Sequence, residues 1–289
     1  MLLAQLAIAG LQTGMLYALT AAGFALIFGA TRIFHVAHGA TFVLAGYAFL
    51  ESVGLGLHGT VATLVSLFVA IVFGLLLDVL VYRPIQRHDG SFFTVFVASF
   101  GVSIAAQNLL QFIFGGGFVS LSLPLTRASQ VLPGLYIAPV LWVVLGVTVL
   151  VFGSITLFLE RTNAGLGLRA LAQNPELVRA YGLSSRKLSA LAFGLGSALV
   201  VPGSILAAIT TGLQPADSAH VMLISLAAAI VGGIGSLRGA ALAGLLLGLV
   251  ENLVVSVVDT QWSQAASFLV LFGFIIFRPS GLLGKASQS

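Results

Sequence analysis

The sequence predicts an all-α, polytopic membrane protein with about eight to nine transmembrane segments, some short or broken, in one membrane domain over residues 1–289. Three observations lead there. The chain is 59% hydrophobic and 7% charged, with mean hydropathy +1.13, whereas a soluble domain carries about 25% charged residues. Its apolar runs reach hydrocarbon length without the alternation of barrel strands, and backbone groups in lipid must then be satisfied within helices. Finally, most of the 12 Lys and Arg residues sit in the links on one side of the apolar runs, with Arg127 alone in the long external link. That is the positive-inside pattern, so the pI of 9.9 reports topology and not a nucleic-acid partner. The absence of cysteine excludes disulfides and thiolate metal sites. Because the first 29 residues lack Lys and Arg, they read as a retained first span, not a secretory signal.

Span one runs from about Leu3 to Phe28, with Gly10 and Gly14 at a spacing that permits close helix approach. The link TRIFHVAHGA leads to a short span two, about Ala40 to Leu50, ending at Glu51 and reading as a broken or re-entrant helix. Span three, about Thr60 to Tyr82, meets RPIQRHDG, where Arg83 and Arg87 mark the cytosolic side. Span four, Phe92 to Phe114, points outward into a Gly-, Ser- and Pro-rich link in which FVSLSLPL alternates like a short strand. Span five, about Ile137 to Leu159, returns to the cytosol, and span six, Ser189 to Thr211, goes out again to QPADSAH. The run Val221 to Val258 is too long for one crossing and is interrupted by GGIGSLRGA, giving spans seven and eight hinged near Arg238. A last span, Ser263 to Phe277, ends at RPSGLLGK. Nine segments with the N-terminus outside satisfy the charges.

Between spans five and six lies a polar island, Glu160 to Leu188, in which Arg161, Arg169, Arg179, Arg186 and Lys187 outnumber two acids. Asn174, Pro175 and Glu176 form a helix start: a capping side chain, a residue with no N–H to lose, and a carboxylate at the positive helix end. Gly182 supplies the stop after Tyr181. The resulting two-turn helix, with Leu177, Val178 and Tyr181 as its apolar side, is too short to stand alone in water. It needs a partner surface.

No enzyme constellation is present; no catalytic residue is assigned, and no GxxxxGK[ST] loop would bind ATP. His35 and His38, three residues apart beside Arg32, have the spacing of a metal pair or proton relay, but no neighbouring carboxylate completes a metal site. A structural role at a helix break is the simpler reading. Ser99, Ser103, Gln107 and Gln111 recur every four residues on span four, with Asn108 alongside. Such groups either line an aqueous path or tie helices together, so Ser99, Ser103, Gln107, Asn108, His35 and His38 are candidate pathway residues.

The stretches GLQTGMLYALTAAGFALIFGATRIFHVAHGA, VYRPIQRHDG, LGLRALAQNPELVRAYGL, VGGIGSLRGAALAGLLLGLVEN and FRPSGLLG resemble, in order and over nearly the whole chain, the LivH-like membrane permeases of branched-chain amino acid ABC importers. The resemblance implies a bacterial inner-membrane permease with no cofactor of its own. It also implies two cytosolic ATP-binding subunits that carry the ATP, a second LivM-like permease, and a periplasmic solute-binding protein. It makes 160–187 a coupling loop docked on the ATPase, with Arg169, Asn174, Pro175, Glu176, Leu177, Arg179, Tyr181 and Gly182 at the contact. One departure stands out: where the family carries an Asn-Phe-Ala-His-Gly-Glu-like run, this chain has His35-Val36-Ala37-His38-Gly39-Ala40. Related systems import urea, amides and organic acids, so the solute is a branched-chain amino acid or a similar small polar molecule. An ion-coupled transporter and a passive channel are the competing classes; neither needs a coupling helix.

Overall fold

The computed structural model describes residues 1–88 and 90–283. Asp89 and the final residues from 284, including Lys285 of the last cationic link, lie outside the described residues.

Helix α1, Leu2–Thr31, is the axis of the molecule and is buried along most of its length. Its 30 residues extend about 45 Å at the usual rise, more than the hydrocarbon core requires. Helix α10, Leu237–Val254, runs antiparallel against it. Their backbones nearly touch: a methyl group on Gly10 would lie 2.9 Å from the Leu249 Cα, and one on Gly14 2.8 Å from the Leu245 Cα. Gly244 and Gly248 press back on Ala18 and Gly14. With lipid as apolar as the helices, such close van der Waals contact is what drives their association.

α1 ends at Arg32, which adopts a left-handed conformation with φ 57°. After an irregular break, α2 spans His38–Gly54. The expected short span two is therefore a continuous 17-residue helix, and the discontinuity precedes it. The hydropathy reading began late because His38 is polar, though buried in protein where polar groups are tolerated, and it stopped at Glu51, which is exposed near the end of α2. Helix α3 starts at Gly59, passes through a π-helical stretch Leu77–Tyr82, and ends at Arg87. Helix α4, Phe92–Phe114, is capped by Ser91, whose hydroxyl accepts from the Thr94 N–H at 3.2 Å.

The outer link differs from expectation. FVSLSLPL makes only one bridge, Val119 and Leu213 exchanging two backbone hydrogen bonds of 2.8 Å. The hairpin forms farther on, β1 Ser129–Leu132 and β2 Leu135–Ile137, across Pro133 and Gly134, where φ is 78°. A two-residue turn brings its own partner strand; the alternating segment has none adjacent. The remaining helices are α5 Val140–Arg161, α6 Asn163–Gln173, α7 Pro175–Ala180, α8 Ser185–Thr210, α9 Asp217–Gly232 and α11 Ser263–Phe277. The expected hinge lies at residues 233–236, just before Arg238, and Ser236 caps α10 through the Gly239 N–H at 3.0 Å.

Among the described residues, six helices (α1, α3, α4, α5, α8 and α10) are long and apolar enough to cross a membrane. α9 and α11 are shorter apolar helices, and α2 is packed inside the bundle. The links gather at two ends. At one, Arg32 donates to the Ala172 carbonyl at 3.4 Å, Arg83 to the Arg186 carbonyl at 3.1 Å, and Arg238 pairs with Glu160 at 2.5 Å. At the other, Gln5 exchanges hydrogen bonds with the Tyr136 backbone at 3.0 and 2.9 Å, and the Val119 bridge closes over Leu213. By the positive-inside rule the cation-rich end is the one expected to face the cytosol.

Candidate coupling segment and polar interior

At the cationic end, α6 and α7 form a structured link. The Thr162 hydroxyl accepts from the Gly165 N–H at 3.0 Å to start α6. Asn174 Oδ1 accepts from the Glu176 and Leu177 N–H groups at 3.0 and 2.9 Å to start α7. At its far end the Leu183 N–H bonds to the Val178 carbonyl at 3.1 Å and the Gly182 N–H to the Arg179 carbonyl at 3.0 Å. This is a Schellman motif, and it places Gly182 at φ 76°. A Cβ there would meet no neighbour within 4 Å, so conformation and not space makes glycine the right residue.

The apolar side divides differently from the sequence expectation. Val178 is 3% exposed, packed with Leu168, Leu171, Ala30 and Ala192, whereas Leu177 is 54% and Tyr181 76% exposed. Val178 lies about 100° around the helix from Leu177, and it is the edge of the stripe that turns to the bundle and anchors α7. Leu166 and Leu183 add to the outward apolar surface. Arg169, Asn174, Pro175, Glu176, Arg179 and Gly182 are likewise exposed. Beneath the segment lies a cavity of about 650 Å³, lined in part by Arg83, Pro175, Arg179 and Arg186.

The cationic end is tied inward through α3. Asp78, 1% exposed and inside the π-helical stretch, accepts from Arg83 at 2.6 and 3.1 Å and from the Ser189 hydroxyl at 3.1 Å. Extra-wide helical turns of this kind recur at functional sites. Four residues on, the Tyr82 hydroxyl lies 2.7 Å from His35 Nδ1 and 2.7 Å from the Ser99 hydroxyl. Ser99 also accepts the Ala37 N–H at 3.1 Å, and His38 Nε2 donates to the Thr20 carbonyl at 2.9 Å. Three of the predicted pathway residues, His35, His38 and Ser99, thus meet at the α1–α2 break, all fully buried. Ser103, a turn farther along α4, is also buried; Gln107 is half-buried, and Asn108 is exposed with its amide on the Ile104 carbonyl. None of these six lines the cavity beneath α7. Among the described residues no group of three or more His, Asp or Glu has the arrangement of a metal site.

Sequence reading did not find the cavity at the outer end. A second cavity, of about 220 Å³, opens between α1, α2, α8 and α9 under the Val119–Leu213 bridge. Tyr17 and His220 are on its wall, and the Tyr17 hydroxyl donates to Glu251 at 3.0 Å while lying 3.3 Å from His220 Nε2. These residues come from three helices with no shared spacing, so no motif signals them.

A bundle with a capped, exposed link at its cationic end and polar groups stapled across a broken helix pair has the build of a transport protein's membrane subunit. The family described as "Branched-chain amino acid transport system / permease component" matches residues 6–277, and the chain belongs to it. Among curated relatives, the permease protein BraD of a high-affinity branched-chain amino acid transport system in Pseudomonas aeruginosa is 29% identical, covering 96% of this chain and 94% of its own. The LivH permease protein of Salmonella typhimurium is 25% identical with the same coverage, and a probable LivH of Methanocaldococcus jannaschii 24% identical over 93% and 89%. PsaBC from Streptococcus pneumoniae, solved in complex with a Fab, matches with a TM-score of 0.51 at 15% identity, over 93% of this chain and 88% of that one. That likeness is one of fold.

Proposed function

We propose that this chain is the membrane-spanning permease subunit of an ATP-driven importer in a bacterial inner membrane. It passes a branched-chain amino acid or a similar small polar solute inward and catalyses no reaction itself. The partners in this reading are two cytosolic ATP-binding subunits, a second LivM-like permease and a periplasmic binding protein. The observation that carries it is α7: a doubly capped single turn that places Leu177 and Tyr181 in water. Isolated apolar side chains on a surface need no explanation, but a rigid turn built to present them, next to Leu166 and Leu183, is the form of a docking site. The family membership and the relatives' names support the solute class.

ATP-driven closure of the partner subunits acts on α7 and on the first turn of α8, which Arg83 and Asp78 fasten to α3. Tyr82, the neighbour of Arg83 on the same helix, makes a separate set of hydrogen bonds to the α1–α2 break and to α4. The drive requires α7 to bind the two ATPase conformations differently, since equal contact shifts nothing. Glu251, half-buried in α10 and bonded to Tyr17, is the observation that favours an ion-coupled transporter instead. Reconstitution separates the two. Labelled leucine enters vesicles only with ATP and the copurifying ATP-binding subunits under the proposed reading; uptake by this chain alone, under a proton or sodium gradient, overturns it.

A further inference from the structure

The outer cavity has a composition that selects among solutes. Its lining is mainly apolar, with Leu16, Phe42, Leu213, Val221 and the exposed Phe118 of the outer link. Among these stand four polar residues, Thr13, Tyr17, Asp217 and His220. At about 220 Å³ it is smaller than the roughly 300–1,000 Å³ of pockets for drug-sized ligands, so it takes a solute of a few heavy atoms.

Its electrostatics narrow the choice. Asp217 lines the cavity, and Glu251 stands behind Tyr17; no Lys or Arg is on the wall. Both ion pairs among the described residues, Asp78 with Arg83 and Glu160 with Arg238, are at the cationic end. Asp217 accepts two hydrogen bonds, from the Gln214 N–H at 2.9 Å and the Gln214 side-chain amide at 3.2 Å. A carboxylate offers about four lone-pair sites, so it retains room for an ammonium group. The Tyr17 hydroxyl gives its proton to Glu251 and its oxygen accepts the His220 Nε2–H, so the Thr13 hydroxyl is the donor left for a ligand carboxylate. An anion lacking a cationic group is repelled by the two acids, and urea leaves the apolar wall unfilled.

We infer that this cavity is a transit site for one aliphatic α-amino acid, its ammonium held by Asp217, its carboxylate facing Thr13, and its side chain against Leu16, Phe42 and Leu213. The inference rests on the permease reading above and gives it a location. The test exploits the cysteine-free sequence. Thr13→Cys and Phe118→Cys are introduced singly, with Ser129→Cys in the outer hairpin as control, and the assembled transporter is labelled by a small membrane-impermeant thiol reagent. Labelling is followed in nucleotide-free and nucleotide-trapped states, with leucine or glutarate present, and leucine uptake is measured on the same wild-type preparation. The expected result is that leucine slows labelling at Thr13→Cys and Phe118→Cys about ten-fold in at least one state, glutarate does not, and Ser129→Cys is unaffected. Uptake of leucine without protection in either state overturns the transit site and leaves the permease reading standing. Absence of both uptake and protection overturns the two together.

Discussion

Gly182 carries the coupling segment's geometry in a single residue. A valine there must adopt φ near 76° with a β-branched side chain, at a cost of the order of 1–3 kcal/mol, or abandon the Schellman hydrogen bonds. Gly182→Val is expected to cut ATP-driven uptake at least ten-fold while membrane levels, read by immunoblot, stay within two-fold of wild type. Asn174→Ala removes the cap that holds two backbone N–H groups, for about 0.5–2 kcal/mol, and lowers uptake less. Asp78 has a different role, because its carboxylate is buried and shared between Arg83 and Ser189. Asp78→Ala leaves a half-buried guanidinium without its partner, and the unfolding temperature of the detergent-solubilised protein is expected to fall by several degrees.

Helix crossings decide stability at the next scale, and they separate two kinds of glycine. At Gly14 and Gly248 any side chain meets the opposing backbone, whereas at Gly101 on α4 an added Cβ meets nothing within 4 Å. Gly14→Leu is therefore expected to abolish recovery of folded protein, and Gly101→Leu to leave it unchanged, by size-exclusion profile of the fluorescent fusion. The same scale explains what the sequence made readable. Helix ends at Asn174 and Gly182 follow local rules of capping and φ, and the small-residue spacing in α1 and α10 is local too. The π-helical turn at Leu77–Tyr82 and the inward face of Val178 depend on packing against α8 and α6, which no periodicity records. The outer cavity draws Tyr17, Asp217 and His220 from places some two hundred residues apart, so it has no linear signature.

For the whole molecule, the division into a cationic end with a structured link and an outer end with a hairpin and a single bridge gives the chain two surfaces with different tasks. The family membership says what kind of machine the chain is part of, and under the proposed function α7 is where force enters. This is checked most directly by placing cysteines one at a time at Leu177, Tyr181 and, as the outer-face control, Leu132, then crosslinking the assembled transporter with short bifunctional reagents. The prediction is that Leu177→Cys and Tyr181→Cys join to the ATP-binding subunit, with yields that change between nucleotide-free and nucleotide-trapped states, and that Leu132→Cys does not. Equal yields in both states, or no crosslink from either α7 position, would contradict it.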